Sequence, residues 1–405
     1  MPGHEKSSLP YPDPPVEGVK MKVAIIHDWL NQYGGAEIVL EALKEMFPEA
    51  PIYTSMYWPQ AMPDFYRGWD IRTSFMDKLP FVKTHHQPFL PLYPLAFEGF
   101  DLSGYDVVIS NKSGFCHGVI TPSETIHICY CLTPTRFVWN YHGYIRREGL
   151  GRVARWLLPL FLNYLRTWDR LAADRVDFFV AISQEVKKRI AKYYKRESEV
   201  IYPPVYTDRF QPLPEQDDYF LVVSRLIPYK RIDIAVEAFN RLGLPLLIVG
   251  EGRDRKALEA MAEPNVRFLG RVSGEELARL YARCQALIFP GREDFGIAPV
   301  EAQAAGRPVI AYAAGGALET VIECETGLFF YEQTPEALSE TVREFMRYSD
   351  AFDPEVIRAN ALRFDVSRFK ERMQGLVKMA LHSLPERYEM VTARLKQKRR
   401  KWREL

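Results

Sequence analysis

The sequence predicts an α/β protein with two Rossmann-like domains, each a doubly wound parallel sheet, that face each other across a cleft. Three observations lead to this fold class. The chain has 405 residues, which is too long for one typical domain. Strand-like and helix-like segments alternate in both halves, and a proline-rich stretch at residues 202–218 separates the halves. Several strand segments are continuously apolar, as in parallel strands that helices cover on both faces.

Each half contains its own series of predicted strands. We expect a loose leader at residues 1–20, a first domain at 21–205, a second at 206–375 and a basic helical tail at 376–405. The predicted strands lie at 23–26, 51–54, 106–110, 126–131 and 177–182 in the first domain, and at 219–224, 244–249, 266–269, 286–289 and 308–311 in the second. A helix is expected over 36–46, Ser273 and Glu276 form a capping box before another, and Gly306 ends a third.

Composition excludes several classes of protein. Apolar residues make up 47% and charged residues 26%, which is typical of a folded domain. The formal net charge of +1 provides no overall field for nucleic acid, and we expect no nucleic-acid partner. Five cysteines without a Cys-x-x-Cys pair argue against a disulfide framework and against a structural zinc site. No signal peptide or bilayer-spanning apolar run is recognisable, so a cytoplasmic protein is expected.

Ligands of doubly wound sheets bind beyond the carboxyl ends of the strands. Asp28 and the Gly34-Gly35 loop follow the first predicted strand, and the helix amides after this loop are suited to an anion. A plain tight turn accounts for the two glycines equally well. The stretch Val249-Gly250-Glu251-Gly252 is similar to a dinucleotide fingerprint, but Arg255 stands where the third glycine is required. A nicotinamide-dependent dehydrogenase is therefore disfavoured.

Four charged residues follow strands in the second half. Arg225 comes directly after a strand and Lys230 comes near a helix start, where cations oppose the helix dipole. A bound diphosphate would account for both placements. Glu293 lies in the loop after another strand and Glu301 about one turn into the next helix, and carboxylates accept hydrogen bonds from sugar hydroxyls. Each glutamate alone is compatible with an ordinary surface residue, whereas the four residues together favour a functional site.

These residues resemble the signature of a known family. Arg225, Lys230 and the spacing of seven residues between Glu293 and Glu301 look like the retaining group 1 glycosyltransferases, glycosyltransferase family 4, of GT-B fold. The resemblance covers about residues 21–370 and is closest to bacterial mannosyltransferases that assemble O-antigen and capsule chains on a lipid carrier. It extends through "KVAIIHDWLNQYGGAE", "VVSRLIPYKRID", "VGEGRDRKALE", "FLGRVSGEELARLYARC", "FPGREDFGIAPVEAQAAGRPVIAY" and "GGALETV".

The resemblance implies a reaction. A sugar, with mannose from GDP-mannose favoured, would pass from a nucleotide-sugar donor to a lipid-linked or saccharide acceptor in cell-surface polysaccharide synthesis. The anomeric configuration would be retained, and neither a cofactor nor a metal ion would be needed, because the nucleotide-sugar is itself a substrate. The first domain would bind the acceptor, and the second domain would bind the donor.

The resemblance also implies a role for each site residue. Arg225 and Lys230 would bind the donor diphosphate, and Glu293 would complete the catalytic set by holding sugar hydroxyls. Glu301 would bind the ribose hydroxyls. The other expected donor contacts are Gly34 and Gly35 over the phosphate, the amides around Phe295, Gly296 and Ile297, and Gly250, Arg271 and Val272 around the nucleobase.

One position departs from the family pattern. Relatives usually have Cys-His-Thr-Pro, and their histidine reaches the 6-hydroxyl of the sugar, but this chain has Leu132 at the histidine position. Leucine neither donates nor accepts a hydrogen bond. Either His117 or His127 takes over this contact, or the donor is a 6-deoxy sugar or a pentose. Asp28, His117 and Leu132 are therefore the candidate sugar or acceptor contacts.

Several alternatives remain open at this point. Residues 136–175 mix aromatic and basic side chains, which suits either a buried helix pair or a segment at the inner face of the cytoplasmic membrane. The basic tail is either a solvated helix or a membrane or partner contact. A GT-B phosphorylase or a nucleotide-sugar epimerase would share the architecture, although the lysine context of a phosphorylase cofactor is not recognisable. A binding protein without catalysis is disfavoured because the four charged site residues are all present.

Overall fold

A computed structural model describes residues 21–139 and 152–383, except for the side chains of residues 152–160. The chain forms two parallel sheets of seven and six strands, with helices on their faces. This architecture is the predicted pair of doubly wound domains. The leader at residues 1–20 and most of the basic tail lie outside the described residues.

The first sheet has the strand order β3-β2-β1-β4-β5-β6-β7, and the second has the order β10-β9-β8-β11-β12-β13. The strands of the first domain are β1 (Val23–His27), β2 (Ile52–Thr54), β3 (Ile71–Thr73), β4 (Val107–Lys112), β5 (Ile126–Cys131), β6 (Phe178–Ala181) and β7 (Ser198–Val200). Those of the second are β8 (Phe220–Val223), β9 (Leu246–Val249), β10 (Val266–Gly270), β11 (Leu287–Phe289), β12 (Val309–Tyr312) and β13 (Gly327–Phe330).

Helices connect these parallel strands. The helices of the first domain are α1 (Gly35–Met46), α2 (Tyr93–Glu98), α3 (Arg136–Trp139), α4 (Arg152–Ala172) and α5 (Gln184–Tyr193). Those of the second are α6 (Ile232–Leu242), α7 (Arg255–Met261), α8 (Gly274–Arg283), α9 (Ile297–Ala304), α10 (Ala317–Thr320), α11 (Pro335–Tyr348) and α12 (Pro354–Ala361), and a last helix, α13, covers residues 366–383.

The local sequence explains where these elements begin and end. Every residue of β1, β4 and β5 is buried, as expected for central strands with helices on both faces. The side chain of Ser273 accepts a hydrogen bond from the amide of Glu276, which confirms the predicted cap of α8. Gly306 follows α9 with φ +71°, a conformation that favours glycine.

The sequence missed three strands, β3, β7 and β13. All three lie at an edge of their sheet and have only three or four residues. Edge strands pair on one side only, and β3 and β7 are partly exposed and lack the continuous apolar run that identified the central strands. β13 is apolar and mostly buried, but its run of four residues is short. The ten strands that the sequence did predict are all present, with boundaries shifted by one or two residues.

The predicted second boundary at residue 375 falls inside α13. This helix returns to the first domain, where the Phe369 ring packs against Tyr130 with centroids 5.4 Å apart. On the surface, Arg372 pairs with Glu199 at 2.6 Å. A helix that crosses back in this way buries its apolar face on the other domain, which a boundary set by strand–helix alternation does not detect.

The described part of the aromatic and basic segment is a packed helix. Leu162, Leu165 and Trp168 of α4 are buried, while Phe161 and Tyr164 are about half exposed. The arginines have partners within the protein: Arg166 donates to the Val138 carbonyl, Arg170 pairs with Asp174 and Arg175 pairs with Glu98. This favours the buried-helix interpretation for residues 161–175, and the membrane contact stays a prediction. None of the helices in the described ranges is long and apolar enough to cross a membrane.

Candidate active site

Each sheet has a point where the strand order reverses, and the site is built there. In the second sheet β8 and β11 are neighbours, and the chain winds outward from them in opposite directions. In the first sheet β1 and β4 have the same relation. Loops that leave two such strands diverge and open a crevice, which is where ligands of doubly wound sheets bind. The four charged residues predicted as a site all follow β8 or β11 in the chain.

Arg225 and Lys230 lie in the loop between β8 and α6. Lys230 ends a short 3₁₀ helix, Pro228–Lys230, so it comes just before α6 rather than in it. Arg225 is exposed, and it donates a 3.1 Å hydrogen bond to the Tyr229 hydroxyl and a 3.5 Å one to Gln32 of the first domain. Both cations therefore lie at the crevice, and Arg225 is the exposed one.

Glu293 faces Lys230 across the β8–β11 crevice. Their side chains form an ion pair, and both are mostly shielded from solvent. The Glu293 backbone carbonyl accepts a 2.9 Å hydrogen bond from the Gly316 amide. A Cβ on Gly315 would lie 2.2 Å from that carbonyl oxygen, so the glycine is required for this close approach. The turn after β12 thus fixes the backbone that presents Glu293.

Glu301 lies on α9 at the boundary between the domains. Its carboxylate accepts a 2.7 Å hydrogen bond from the hydroxyl of Tyr281, which is fully buried. Burial raises the pKa of Glu301 above its ordinary value, and the Tyr281 hydrogen bond opposes this effect. A cavity of about 40 Å³ beside Glu301 is lined by Ile38, Arg209 and Ile297, among others.

The residues predicted around a nucleobase meet at the ends of β8, β9 and β10. The Gly250 amide donates to the Gly270 carbonyl at 2.8 Å, and a Cβ on Gly250 would lie 1.9 Å from the Ser224 carbonyl. Gly250 has φ +132°, so close packing and backbone conformation both demand glycine. Arg271 is exposed beside this junction, and Val272 is half-buried. The Gly-x-Gly stretch thus joins three strand ends instead of forming a dinucleotide fingerprint.

The start of α9 carries Phe295, Gly296 and Ile297. Gly296 has φ +97° and provides no side-chain cap, so the first amides of the helix have no side-chain acceptor there. From the first domain, Gly35 approaches this helix start so closely that a Cβ on Gly35 would lie 3.0 Å from Cδ1 of Ile297. The Gly34-Gly35 loop and the start of α9 therefore meet across the cleft.

Asp28 does not face the cleft, which corrects its interpretation as a sugar contact. Its carboxylate is 1% exposed and accepts backbone hydrogen bonds of 2.6–2.8 Å from the four consecutive residues Ser113, Gly114, Phe115 and Cys116. The carboxylate thus holds the loop after β4 onto the end of β1. With these acceptor positions occupied, Asp28 has a structural role.

The two histidines that were candidates to replace the family histidine are also buried. His117 is fully buried, stacks on Tyr194 and lies 3.1 Å from the Asp169 carbonyl. His127 is fully buried and contacts the Ser110 hydroxyl at 2.9 Å. Neither ring reaches the cleft, so the prediction that His117 contacts a sugar is wrong. Leu132, by contrast, is half-buried just after β5, at the mouth of the first sheet.

The sequence interpretation missed three residues that connect the domains at the site. Asp294, next to Glu293, binds Arg136 and Arg189 of the first domain. The only sequence signal was a charged residue between two site residues, Glu293 and Phe295. Among the described residues, no group of three or more His, Cys, Asp and Glu side chains is arranged to hold a metal ion.

Solved structures with the same fold define the class of protein. The chain aligns with Anabaena HepE in complex with UDP at a TM-score of 0.67 and 17% identity, over 89% of this chain and 100% of that one. It aligns with sucrose-phosphate synthase from Thermosynechococcus elongatus at a TM-score of 0.63 and 20% identity, over 92% and 100%. These likenesses establish the GT-B fold.

Family models then identify the family. The model "Glycosyltransferase Family 4" matches residues 33–209, and the model "Glycosyl transferases group 1" matches residues 207–361. The chain belongs to the group 1 glycosyltransferases, with the family 4 domain followed by the group 1 domain.

Relatives in the family act on several sugars. D-rhamnosyltransferase WbpZ of Pseudomonas aeruginosa is 29% identical over 54% of this chain and 60% of its own length. O-antigen chain mannosyltransferase RfbU of Salmonella typhimurium is 32% identical over 36% and 45%. A GDP-mannose-dependent α-mannosyltransferase of Mycolicibacterium smegmatis is 37% identical over 32% and 36%. The chain thus spans between 36% and 60% of the length of these relatives.

Proposed function

We propose that this chain transfers a sugar from a nucleotide-sugar donor to a hydroxyl of an acceptor. The observation that carries the proposal is the arrangement at the β8–β11 crevice: Lys230 and Glu293 are paired there, Arg225 is exposed beside them, and Gly35 closes over the start of α9. Cations and unpaired helix amides suit a diphosphate, and a nearby carboxylate suits sugar hydroxyls.

In this proposal the protein stabilises a departing nucleoside diphosphate. Arg225, Lys230 and the first amides of α9 neutralise the negative charge that develops as the bond between the anomeric carbon and the phosphate oxygen breaks. Stabilisation of this kind by one preorganised group is worth about 3–4 kcal/mol. The acceptor oxygen bonds to the anomeric carbon on the face that the phosphate leaves, and its proton passes to the leaving phosphate oxygen. Configuration is thereby retained without a protein nucleophile.

Lys230 and Glu293 change partners when a donor binds. Without a ligand, each neutralises the other. A diphosphate competes for Lys230 and frees Glu293 to accept hydrogen bonds from the sugar. Glu301, which Tyr281 holds in place, is the proposed partner of the ribose hydroxyls. The raised pKa of Glu301 comes from burial.

GDP-mannose is the favoured donor because mannosyltransferases recur among the relatives. The acceptor in this proposal is lipid-linked or a saccharide, the role is in cell-surface polysaccharide synthesis, and the place of action is the inner face of the cytoplasmic membrane. O-antigen assembly by one relative and the half-exposed Phe161 and Tyr164 of α4 support this part. Cosedimentation with phosphatidylglycerol vesicles tests the membrane contact, and binding unchanged by Tyr164→Ser would contradict it.

A 6-deoxy sugar donor is a second candidate, and Leu132 favours it. The burial of His117 and His127 leaves neither of them able to take the place of the family histidine at the cleft. A sugar 6-hydroxyl buried against Leu132 would lose its water without gaining a partner, at a cost of about 1–3 kcal/mol. A methyl group at this position would match leucine. One relative is a D-rhamnosyltransferase, and rhamnose is a 6-deoxy sugar.

Release of nucleoside diphosphate tests both candidates. The chain is incubated with GDP-mannose, GDP-rhamnose and UDP-glucose, with and without a lipid-linked saccharide, and the product anomer is determined by NMR. Leu132→His should shift preference towards the hydroxylated hexose, whereas the control Leu132→Met should not. A wild-type preference for GDP-mannose over GDP-rhamnose of about tenfold or more would contradict the role of Leu132. No release from any nucleotide-sugar would contradict the proposed function.

A further inference from the structure

Asp294 joins the second domain to the first at the site itself. Its side chain is 7% exposed and lies between two arginines of the first domain. One carboxylate oxygen accepts hydrogen bonds from Arg136, at 2.5 Å from Nη2 and 3.2 Å from Nε. The other accepts one from Nη1 of Arg189 at 2.6 Å. Both oxygens are thus committed to the opposite domain.

Further contacts between the domains surround this carboxylate. Arg189 also donates to Glu185 of its own helix at 3.0 Å, and Arg292 of the second domain donates to the same Glu185 at 2.7 Å. Glu319 of α10 accepts hydrogen bonds from the Gln184 and Glu185 amides at the start of α5, at 2.9 and 3.2 Å. A helix start of the first domain is therefore capped by a carboxylate of the second.

The network reaches the proposed catalytic residues from both sides. Asp294 follows Glu293 directly in the chain. The guanidinium of Arg136 lies over the ring of Tyr229, 5.5 Å from its centroid, and the Tyr229 hydroxyl accepts the hydrogen bond from Arg225. On the first domain, Arg136 comes four residues after Leu132.

Arg189 contacts the same first-domain loop, residues 132–136, near its other end. It lies 3.3 Å from the Thr133 hydroxyl, so one arginine contacts both Asp294 and the residue after Leu132. Together, Arg136 and Arg189 place residues 132–136 against the loop that carries Glu293.

We propose that Asp294 is a positioning residue that holds the domains closed for sugar transfer. By binding Arg136 and Arg189, it fixes the Leu132-bearing loop of the first domain over the donor loop of the second. The inference rests on the proposed function, because it assumes that the closed arrangement of the domains is the one in which the sugar is transferred.

The physical reason is that this carboxylate is satisfied only when the domains meet. Its side-chain partners among the described residues belong to the first domain, and opening the cleft would replace two charge-assisted pairs by water. Burial opposes ionisation, but the charges of Arg136 and Arg189 outweigh it and keep the pKa of Asp294 below its ordinary value. The nucleotide contacts lie mostly on the second domain, so they do not depend on this closure.

The test separates nucleotide binding from transfer. Asp294→Asn keeps the size of the side chain but removes the charge, and Arg136→Ala removes one partner. The matched control is Arg372→Ala, which breaks an exposed ion pair between α13 and the first domain away from the cleft. Affinities for GDP and for UDP are measured by calorimetry, kcat by nucleoside diphosphate release, and domain closure by small-angle X-ray scattering.

We expect Asp294→Asn and Arg136→Ala to lower kcat by about 30-fold each, and the double variant to lower it no further, because the two residues act as one pair. The affinity for GDP or UDP should change by less than about threefold, and the radius of gyration should rise. Arg372→Ala should match wild type in every measurement. If Asp294→Asn does not fold, Arg136→Lys is measured in its place. Lysine keeps the positive charge but cannot make both hydrogen bonds that the Arg136 guanidinium donates to Asp294.

Two results would overturn the inference. One is that Asp294→Asn has the same radius of gyration and the same kcat as wild type. The other is a loss of nucleotide affinity equal to the loss of kcat, which would make Asp294 part of the nucleotide site. If wild type binds neither GDP nor UDP and releases neither, the proposed function fails, and the scattering comparison still decides whether Asp294 closes the domains.

Discussion

Asp169→Asn should destabilise the first domain strongly, because Asp169 is the counter-charge of a fully buried lysine. Lys112 has no exposed surface, and its Nζ lies 3.9 Å from Asp169. Burial works against the charge on Lys112, but Asp169, with smaller effects of Cys131, Cys129 and Asp28, raises the pKa of Lys112 above its ordinary value. The Asp169 carboxylate also accepts hydrogen bonds from Thr135, Trp139 and Tyr194 at 2.7–2.8 Å.

The expected magnitude follows from these contacts. Asparagine would leave the Lys112 ammonium buried without the Asp169 charge, with the Thr133 carbonyl, the Thr135 hydroxyl and the Tyr194 ring as partners. Removing one member of a buried ion pair costs about 3–5 kcal/mol. Lys112→Met should cost less, because three hydrogen bonds still stabilise the anion that remains. In the double variant, Lys112→Met with Asp169→Asn, part of the loss should be recovered because no charge is left buried.

Urea unfolding monitored by tryptophan fluorescence measures these differences. The matched control is Arg372→Ala, which removes an exposed pair and should cost at most about 1 kcal/mol. Because Thr135 and Trp139 flank Arg136, Asp169→Asn should also lower activity. A loss of unfolding free energy in Asp169→Asn that is no larger than in the control would refute this reasoning. So would a larger loss in Lys112→Met than in Asp169→Asn.

Three further predictions concern the site and the core. Tyr281→Phe should raise the donor KM by about 2- to 10-fold with little change in kcat, because Glu301 loses the hydrogen bond that orients it; an unchanged KM would exclude this role. Burial, with a smaller effect of His117, lowers the pKa of His127 to about 3, so this histidine stabilises the fold above pH 6.5 and its contribution is lost as the pH falls towards 3. The free energy of unfolding should fall by up to about 1.4 kcal/mol per pH unit in that window, and His127→Gln should flatten the fall in urea titrations at several pH values; parallel slopes would argue against it. Activity should persist in EDTA, because Arg225, Lys230 and helix amides are proposed to neutralise the diphosphate; loss with rescue by a divalent cation would disprove that.

The sequence predicted the residues whose position in the chain fixes their place in the fold. Arg225, Lys230 and Glu293 follow strands that are neighbours at a switch point, so strand–helix alternation was enough to bring them together. The pair of doubly wound domains followed from the same alternation in both halves, whereas the GT-B fold was implied by the family resemblance. Gly35 could be assigned to the cleft because it follows β1, the corresponding strand of the first sheet.

The sequence could not predict which polar residues form their hydrogen bonds inside the protein rather than at the cleft. Asp28 and His117 lie near strand ends, like the residues that face the cleft, but their partners are the loop after β4 and the buried face of α4. Whether a side chain turns inward depends on packing between segments far apart in the chain. The Asp294 contacts were missed for the same reason, because Arg136 and Arg189 are more than 100 residues away.

The central claim is that Arg225 and Lys230 bind and stabilise the departing nucleoside diphosphate. The most direct test compares the release of nucleoside diphosphate from a nucleotide-sugar by wild type, Arg225→Ala and Lys230→Ala, with Arg241→Ala as an exposed arginine control in the same domain. Each site variant should lower kcat/KM by about 100- to 1,000-fold while its melting temperature stays close to that of wild type, because neither residue is part of the core. Turnover by both site variants within threefold of the Arg241→Ala control would contradict the claim.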